Sequence, residues 1–218
     1  MRRSRALILA DVREALQRAL DEGQTFETFR ANLKPRLVAK GWWGRAEVAG
    51  PDGETREVRL GSTRRLRTIY RANMRSARAA GQWARIERTK AALPFLLYQL
   101  GPSEVRRPHH QAKEGWVLAV DDPFWDEWFP PNGWGCKCWV RQITRAEAER
   151  RGITGAVNIP RRRVVNPATG EMLDLPAGLD PAWRANPGKV RLAQAQALLE
   201  DRLAALAPEA AAVRAGEN

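Results

Sequence analysis

The 218-residue sequence predicts an α+β protein with an N-terminal helical half, a central small mixed strand-and-turn core packed on a long helix, and a C-terminal helix. Three observations carry that prediction. Apolar residues recur every three or four positions through residues 5–40 and again through 62–93, which is the helical period. Between Pro94 and Val140 that period gives way to short apolar runs separated by Gly, Pro and Asn turn chemistry. Beyond Pro187 the helical period returns in an Ala- and Leu-rich segment. The implied organisation is a helical hairpin with a short β-hairpin over 1–61, a central core over 62–152, and a loop-rich segment with a terminal helix over 153–218.

The elements follow in order. Leu9, Val12, Leu16 and Leu20 mark a first helix that Gly23 stops, and Phe29, Leu33 and Leu37 mark a second that Thr25 caps. Pro35 lies inside the second pattern and predicts a kink or break there. Around the turn "PDG", the runs "AEV" and "REVRL" alternate with period 2 and predict a hairpin. The longest helix carries Leu66, Ile69, Met74, Ala77, Ala80, Trp83 and Ile86, with Ser62 or Thr63 as its cap and Pro94 as its end. Gly81 within it predicts close packing against another backbone, since glycine costs a helix about 1 kcal/mol relative to alanine. "PFLLYQLG", "GWVLAV" and "CWVRQI" read as three strands, the last with Cys138, Val140 and Gln142 on one side. Thr144, Glu147 and Gly152 have the spacing of a capped short helix. "VVNPATGEMLDLP" reads as a hairpin. The last helix places Val190, Ala193, Ala197, Leu198, Leu203 and Leu206 on one stripe, for docking on another subunit or on its own core.

Composition narrows the function classes. No run approaches the roughly 18 apolar residues of a membrane span, and the N-terminus turns charged after a few apolar positions, unlike a secretory signal peptide. The 37 Lys plus Arg against 25 Asp plus Glu give a net charge of +12, which favours a polyanionic neighbour and nucleic acid above all. A GC-rich genome's preference for Arg and Ala produces the same balance. The run Arg161, Arg162 and Arg163 is the densest basic cluster, suited to phosphate or to an acidic partner, or simply solvated as an exposed loop.

Chemistry concentrates in "DDPFWDEWFPPNGWGCKCW". Its two cysteines, Cys136 and Cys138, are too close in sequence for an unstrained disulfide, so free thiols or metal ligands are the better options. On an extended strand both sulfurs would share a face. The two histidines of the chain, His109 and His110, lie upstream across one apolar strand, and Glu114 or the pair Asp121 and Asp122 could complete a four-ligand zinc set. The bland alternative is a packing or surface histidine beside unrelated thiols. Asp121, Asp122, Asp126 and Glu127 could form an acid/base or magnesium site. Equally, they begin a turn and line a solvated face while Trp125, Trp128 and Phe129 anchor the loop to a core.

Four stretches together, "GWWG", "LGSTRRLRTIYRANMRSARAAGQWARI", "RPHHQAKEGWVLAVDDPFWDEWFPPNGWGCKC" and "NPATGEMLDLPAGLDPAWRANPG", resemble the phage Mu protein F-like family. The resemblance implies a non-enzymatic minor head protein of a tailed bacteriophage or prophage. Such a protein acts in head morphogenesis beside the portal protein and inner capsid proteins, close to packaged double-stranded DNA and with no membrane. It also implies assembly in the host cytoplasm and residence in the virion. The family motif's Arg falls on Arg107, its His on His110, its aromatic on Trp125 and its cysteines on Cys136 and Cys138. Where relatives often carry further histidines, this chain has Glu114 and Asp122, so the zinc expected here is structural, held by His110, Cys136, Cys138 and Glu114. Relatives tend to extend further at the N-terminus, which predicts that part of a portal-binding helical region is missing here. The alternative class is a metal-dependent nucleic-acid enzyme or an effector delivered with DNA, and a third is a prophage-derived DNA-binding module.

Overall fold

The structure, a computed structural model, describes residues 2–49, 54–166 and 169–200. The "PDG" turn, the Pro-Ala pair of the later hairpin turn, and Leu203 and Leu206 lie outside the described residues. The chain divides into two compact units, residues 1–77 and 78–218, and it is α+β as the sequence predicts.

The first unit is built on α1 (Arg2–Asp21) and α2 (Phe26–Ala39). The Thr25 hydroxyl accepts the Thr28 amide at 3.3 Å and fixes the start of α2. Phe26, Phe29, Leu33 and Leu37 are buried from α2, as its period requires. On α1 the buried stripe is Val12, Ala15, Leu16 and Ala19, while Leu9 and Leu20 are exposed. The kink or break predicted at Pro35 does not end the helix: α2 runs through it from Phe26 to Ala39. Leu66, with partly buried Ile69, Tyr70 and Met74 from the first half of α3 (Thr63–Thr89), completes this core. The Ser62 hydroxyl caps α3 by accepting the Arg65 amide at 3.1 Å. Asp11, almost fully buried, accepts from Arg36 at 2.6 Å and from Lys40, which holds its carboxyl below the usual range. The expected hairpin is present as β1 (Arg45–Ala49) paired antiparallel with β2 (Thr55–Arg59).

The second unit is organised by β3 (Phe95–Gln99), the central strand of an antiparallel sheet ordered β4-β3-β5, with β4 at Val117–Ala119 and β5 at Trp139–Ile143. Successive side chains of a strand point to opposite faces. Phe95 and Leu97 therefore join Val117, Ile143 and Ala148 on one face, where α6 (Arg145–Arg151) covers them. Leu96 and Tyr98 join Ala79, Trp83 and Ile86 of α3 on the other. The predicted face of the third strand holds for Val140, which is in that core, and for Gln142, which donates to the carbonyls of Ile86 and Leu93; Cys138, one residue before the strand, packs against the same core. The α6 cap is also as predicted, with the Thr144 hydroxyl accepting from the Glu147 amide and Gly152 following the last turn.

Three expectations are corrected here. A Cβ at Gly81 would meet nothing within 4 Å, so this glycine makes no close backbone contact. The cysteines precede β5 instead of lying on it, in the loop that Gly133 and Cys136 close with a backbone hydrogen bond. Arg161–Arg163 lie on β6 (Arg161–Val165), paired with β7 (Met172–Pro176), not on a loop. Beyond these strands a helix runs through residues 187–200, and positions 190–200 are exposed.

Candidate metal centre

The tryptophan-rich stretch forms a buried frame. Phe124, Trp125 and Trp128 lie on the short α5 (Phe124–Trp128), and Trp125, Trp128 and Phe129 are at most 1% exposed. Trp125 donates its indole N–H to the Ala119 carbonyl at 2.9 Å. Trp83 meets Phe129 edge to face, and Phe124 stacks on Trp128. The carboxylates expected to begin a turn do so, since Asp122 accepts the Phe124 amide at 2.8 Å. The others are held in exposed ion pairs: Asp121 with Lys90, Asp126 with Lys189, and Glu127 with Arg161. Among the described residues they form no metal-binding group of three.

His110, Cys136 and Cys138 do come together, with one donor atom from each lying within 4.8 Å of the others. His110 sits on α4 (Pro108–Gln111), a single turn whose first residue is proline, where the missing amide hydrogen costs nothing. The residue is 3% exposed, and its ring stands edge to face on Trp128. Nε2 lies 3.2 Å from the Gly178 carbonyl, which can only accept, so this contact places a proton on Nε2, and in the neutral ring that leaves the Nδ1 lone pair toward the sulfurs. Nδ1 faces Cys138 Sγ at 3.4 Å and Cys136 Sγ at 3.7 Å. Gly178 permits this approach: its φ is +102°, and a Cβ there would lie 2.4 Å from the His109 Cβ.

The cysteine loop is fixed from three directions. Arg107 donates to the Trp134 carbonyl at 2.6 Å, and Asp180 accepts the Trp134 amide at 2.8 Å while pairing with Arg107. Trp134 packs edge to face on Trp183, from the single 3-10 turn at Pro181–Trp183. Gly101, two residues beyond β3, lies so close to the Lys137 carbonyl that a Cβ would overlap it at 2.2 Å. Behind the sulfurs, Asn132 donates to the buried Tyr98 hydroxyl at 3.1 Å. Burial first, and then the neighbouring Cys138, push the Tyr98 phenol well up. Hydrogen bonding with Cys138 holds the Cys136 thiol below the ordinary range, and the same contact, with burial, pushes Cys138 up. Neither is in a disulfide.

Not every predicted residue joins the group. Glu114 stands apart, half-exposed and paired with Arg106 at 3.5 Å, because α4 ends at Gln111 and the chain turns away before the next helical position is reached. His109 contributes its backbone carbonyl to Lys113. Of the basic run, Arg161 is bound by Glu127 and Asp174, Arg162 donates to the Leu179 carbonyl, and Arg163 is exposed. Sequence reasoning missed Gly178, Asp180, Tyr98 and Lys113. Lys113 is buried over the Trp128 ring at 3.8 Å, and burial brings its pKa down to about 8. No local spacing marks Gly178, Asp180 or Tyr98, because they reach the group through the fold, while Lys113 follows His110 by three residues but carries no ligand atom.

A cleft of about 320 Å3 opens over the cluster, lined by His110, Cys136, Cys138, Arg106, Arg107 and Lys137 among others. No helix among the described residues is long and apolar enough to cross a membrane.

The profile of the Phage Mu protein F like family matches residues 10–141. A protein of Escherichia phage Mu named "Putative capsid assembly protein F" is 35% identical over 88% of this chain and 47% of its own length. The "Mu-like prophage FluMu F protein" of Haemophilus influenzae is 34% identical over 69% of this chain and 35% of its own. The chain thus spans about half the length, or less, of these curated relatives. No solved structure matches it. Since the family profile covers more than half of the chain, including α3, β3, β4, His110 and both cysteines, the chain belongs to the phage Mu protein F-like family.

Proposed function

We propose that this chain is a structural component of a tailed-phage or prophage head that acts in head morphogenesis. It works at the portal and inner capsid, close to packaged double-stranded DNA, assembles in the host cytoplasm and remains in the virion. The observation that carries the reading is the similarity, over 88% of the chain, to a phage Mu protein whose name is that of a capsid assembly protein. The net charge of +12 supports a DNA-facing position, because phosphate neutralisation releases condensed counterions. The ion-paired carboxylates of the tryptophan-rich segment suit a packed structural element better than an acid/base centre. The test is immunodetection in purified proheads and virions of the host phage. Presence at a few copies per particle is the expected result, and absence from both particle types would overturn the reading. A metal-dependent enzyme acting on nucleic acid remains the competing class, and a nuclease assay with and without chelator separates the two.

A further inference from the structure

We propose that His110, Cys136 and Cys138 form a zinc site with three protein ligands, the ring Nδ1 and two thiolates, whose fourth position opens to the cleft. The distances carry this. Tetrahedral zinc, with Zn–S of about 2.3 Å and Zn–N of about 2.0–2.1 Å, sets nitrogen and sulfur roughly 3.5–3.6 Å apart along each edge. Nδ1 lies 3.4 Å and 3.7 Å from the two sulfurs. Those lengths also suit a thiol hydrogen bond, but a single imidazole lone pair accepts one such proton well, and here it faces two sulfurs at nearly equal range.

The surroundings supply what a zinc ligand needs. Metal-binding histidines characteristically donate their second N–H to a carbonyl or carboxylate, and the His110 Nε2 faces the Gly178 carbonyl. The ligand set is held before metal arrives, because the Arg107–Trp134–Asp180 contacts fix the cysteine loop and Gly101 lies against Lys137. Among the described residues no further His, Cys, Asp or Glu joins the group, so the fourth vertex takes water or an anion from the cleft. Zinc binding releases thiol protons to solvent as the sulfurs become ligands, with no change of oxidation state. Glu114, facing Arg106, is not a ligand.

The test is metal titration of the full-length reduced chain after chelator treatment, first with Co2+ and then with Zn2+. The expected result is about one equivalent bound per chain with the intense visible bands and near-ultraviolet sulfur charge transfer of tetrahedral cobalt thiolate, displaced by zinc. Zinc should also protect both thiols from alkylation. Cys136→Ser, Cys138→Ser and His110→Ala should each weaken binding by more than the roughly 10–100-fold typical of lost outer contacts, and Glu114→Gln should leave it unchanged. The unsubstituted chain decides the matter even where a variant fails to fold. An octahedral cobalt spectrum, no uptake, or thiols that react equally with and without zinc would overturn the proposal.

Discussion

The two units are held together differently. In the first, the core is an amphipathic packing of α1, α2 and the first half of α3, in which Phe29, Leu33, Leu37 and Leu66 are fully buried and the buried charge of Asp11 is met by two cations. Regular helical periods bury that core. In the second, a short sheet supports a segment of turns, and what fixes the turns is a set of individual contacts: Trp125 to Ala119, Arg107 to Trp134, Asp180 to Trp134 and His110 to Gly178. A helix distributes its stability over many equivalent contacts, whereas a loop-rich segment concentrates it in a few. The difference teaches where a cross-link has most to add: to the segment whose chain entropy is restrained by the fewest regular elements.

The largest effects break each core. Trp125→Ala removes a fully buried indole and its hydrogen bond, and should cost about 3–5 kcal/mol, read as a lowered denaturant midpoint with loss of near-ultraviolet circular dichroism. Leu33→Ala should cost about 2–5 kcal/mol in the first unit, and its shift should be the same with and without chelator. Gly178→Ala, at a positive φ and against His109, should displace the carbonyl that orients His110 and lower zinc affinity about 10–100-fold, measured by competition with a chromogenic chelator.

Smaller effects sharpen the comparison. Asp11→Asn removes the buried negative charge and one of the two acceptor oxygens that Arg36 and Lys40 use, and should cost about 1–3 kcal/mol at neutral pH. Because the folded state lowers the Asp11 pKa, its contribution is complete above the ordinary value of 3.8 and is lost as pH falls through the lower folded value. The stability gap between the parent and Asp11→Asn should therefore narrow in acid, as urea titrations at several pH values would show. Lys113 behaves oppositely. Its folded pKa near 8 lies below the ordinary 10.5, so the folded state holds fewer protons between those values and stability should rise with pH across that window. A pH titration of isotopically dimethylated lysine by NMR should place this one resonance near 8, and a value near 10.5 would contradict the burial argument.

Much of this architecture is legible in the sequence because it rests on local periods. The period of Phe29, Leu33 and Leu37, the Thr144–Glu147–Gly152 cap and the three short strands are each set within a few residues. The meeting of His110 with both cysteines was legible from their closeness along the chain, across one strand. What escaped depends on where a helix stops or what the fold brings in. Glu114 would lie above His110 on a longer helix, but α4 is a single turn. Proline within α2 removes one hydrogen bond from an otherwise packed helix, and burial of Leu33 and Leu37 on either side outweighs that loss. Gly178 and Asp180 arrive from a segment some 40 residues beyond the cysteines, and nothing in their own neighbourhood signals that they orient His110 and Trp134.

The most direct test of the contrast is hydrogen exchange of the full chain followed by mass spectrometry, in zinc and in chelator. The account predicts added protection in zinc confined to peptides spanning residues 107–111, 130–138 and 176–183, with residues 8–43 unchanged. Identical exchange in the two conditions, or protection appearing in the helical unit instead, would contradict it.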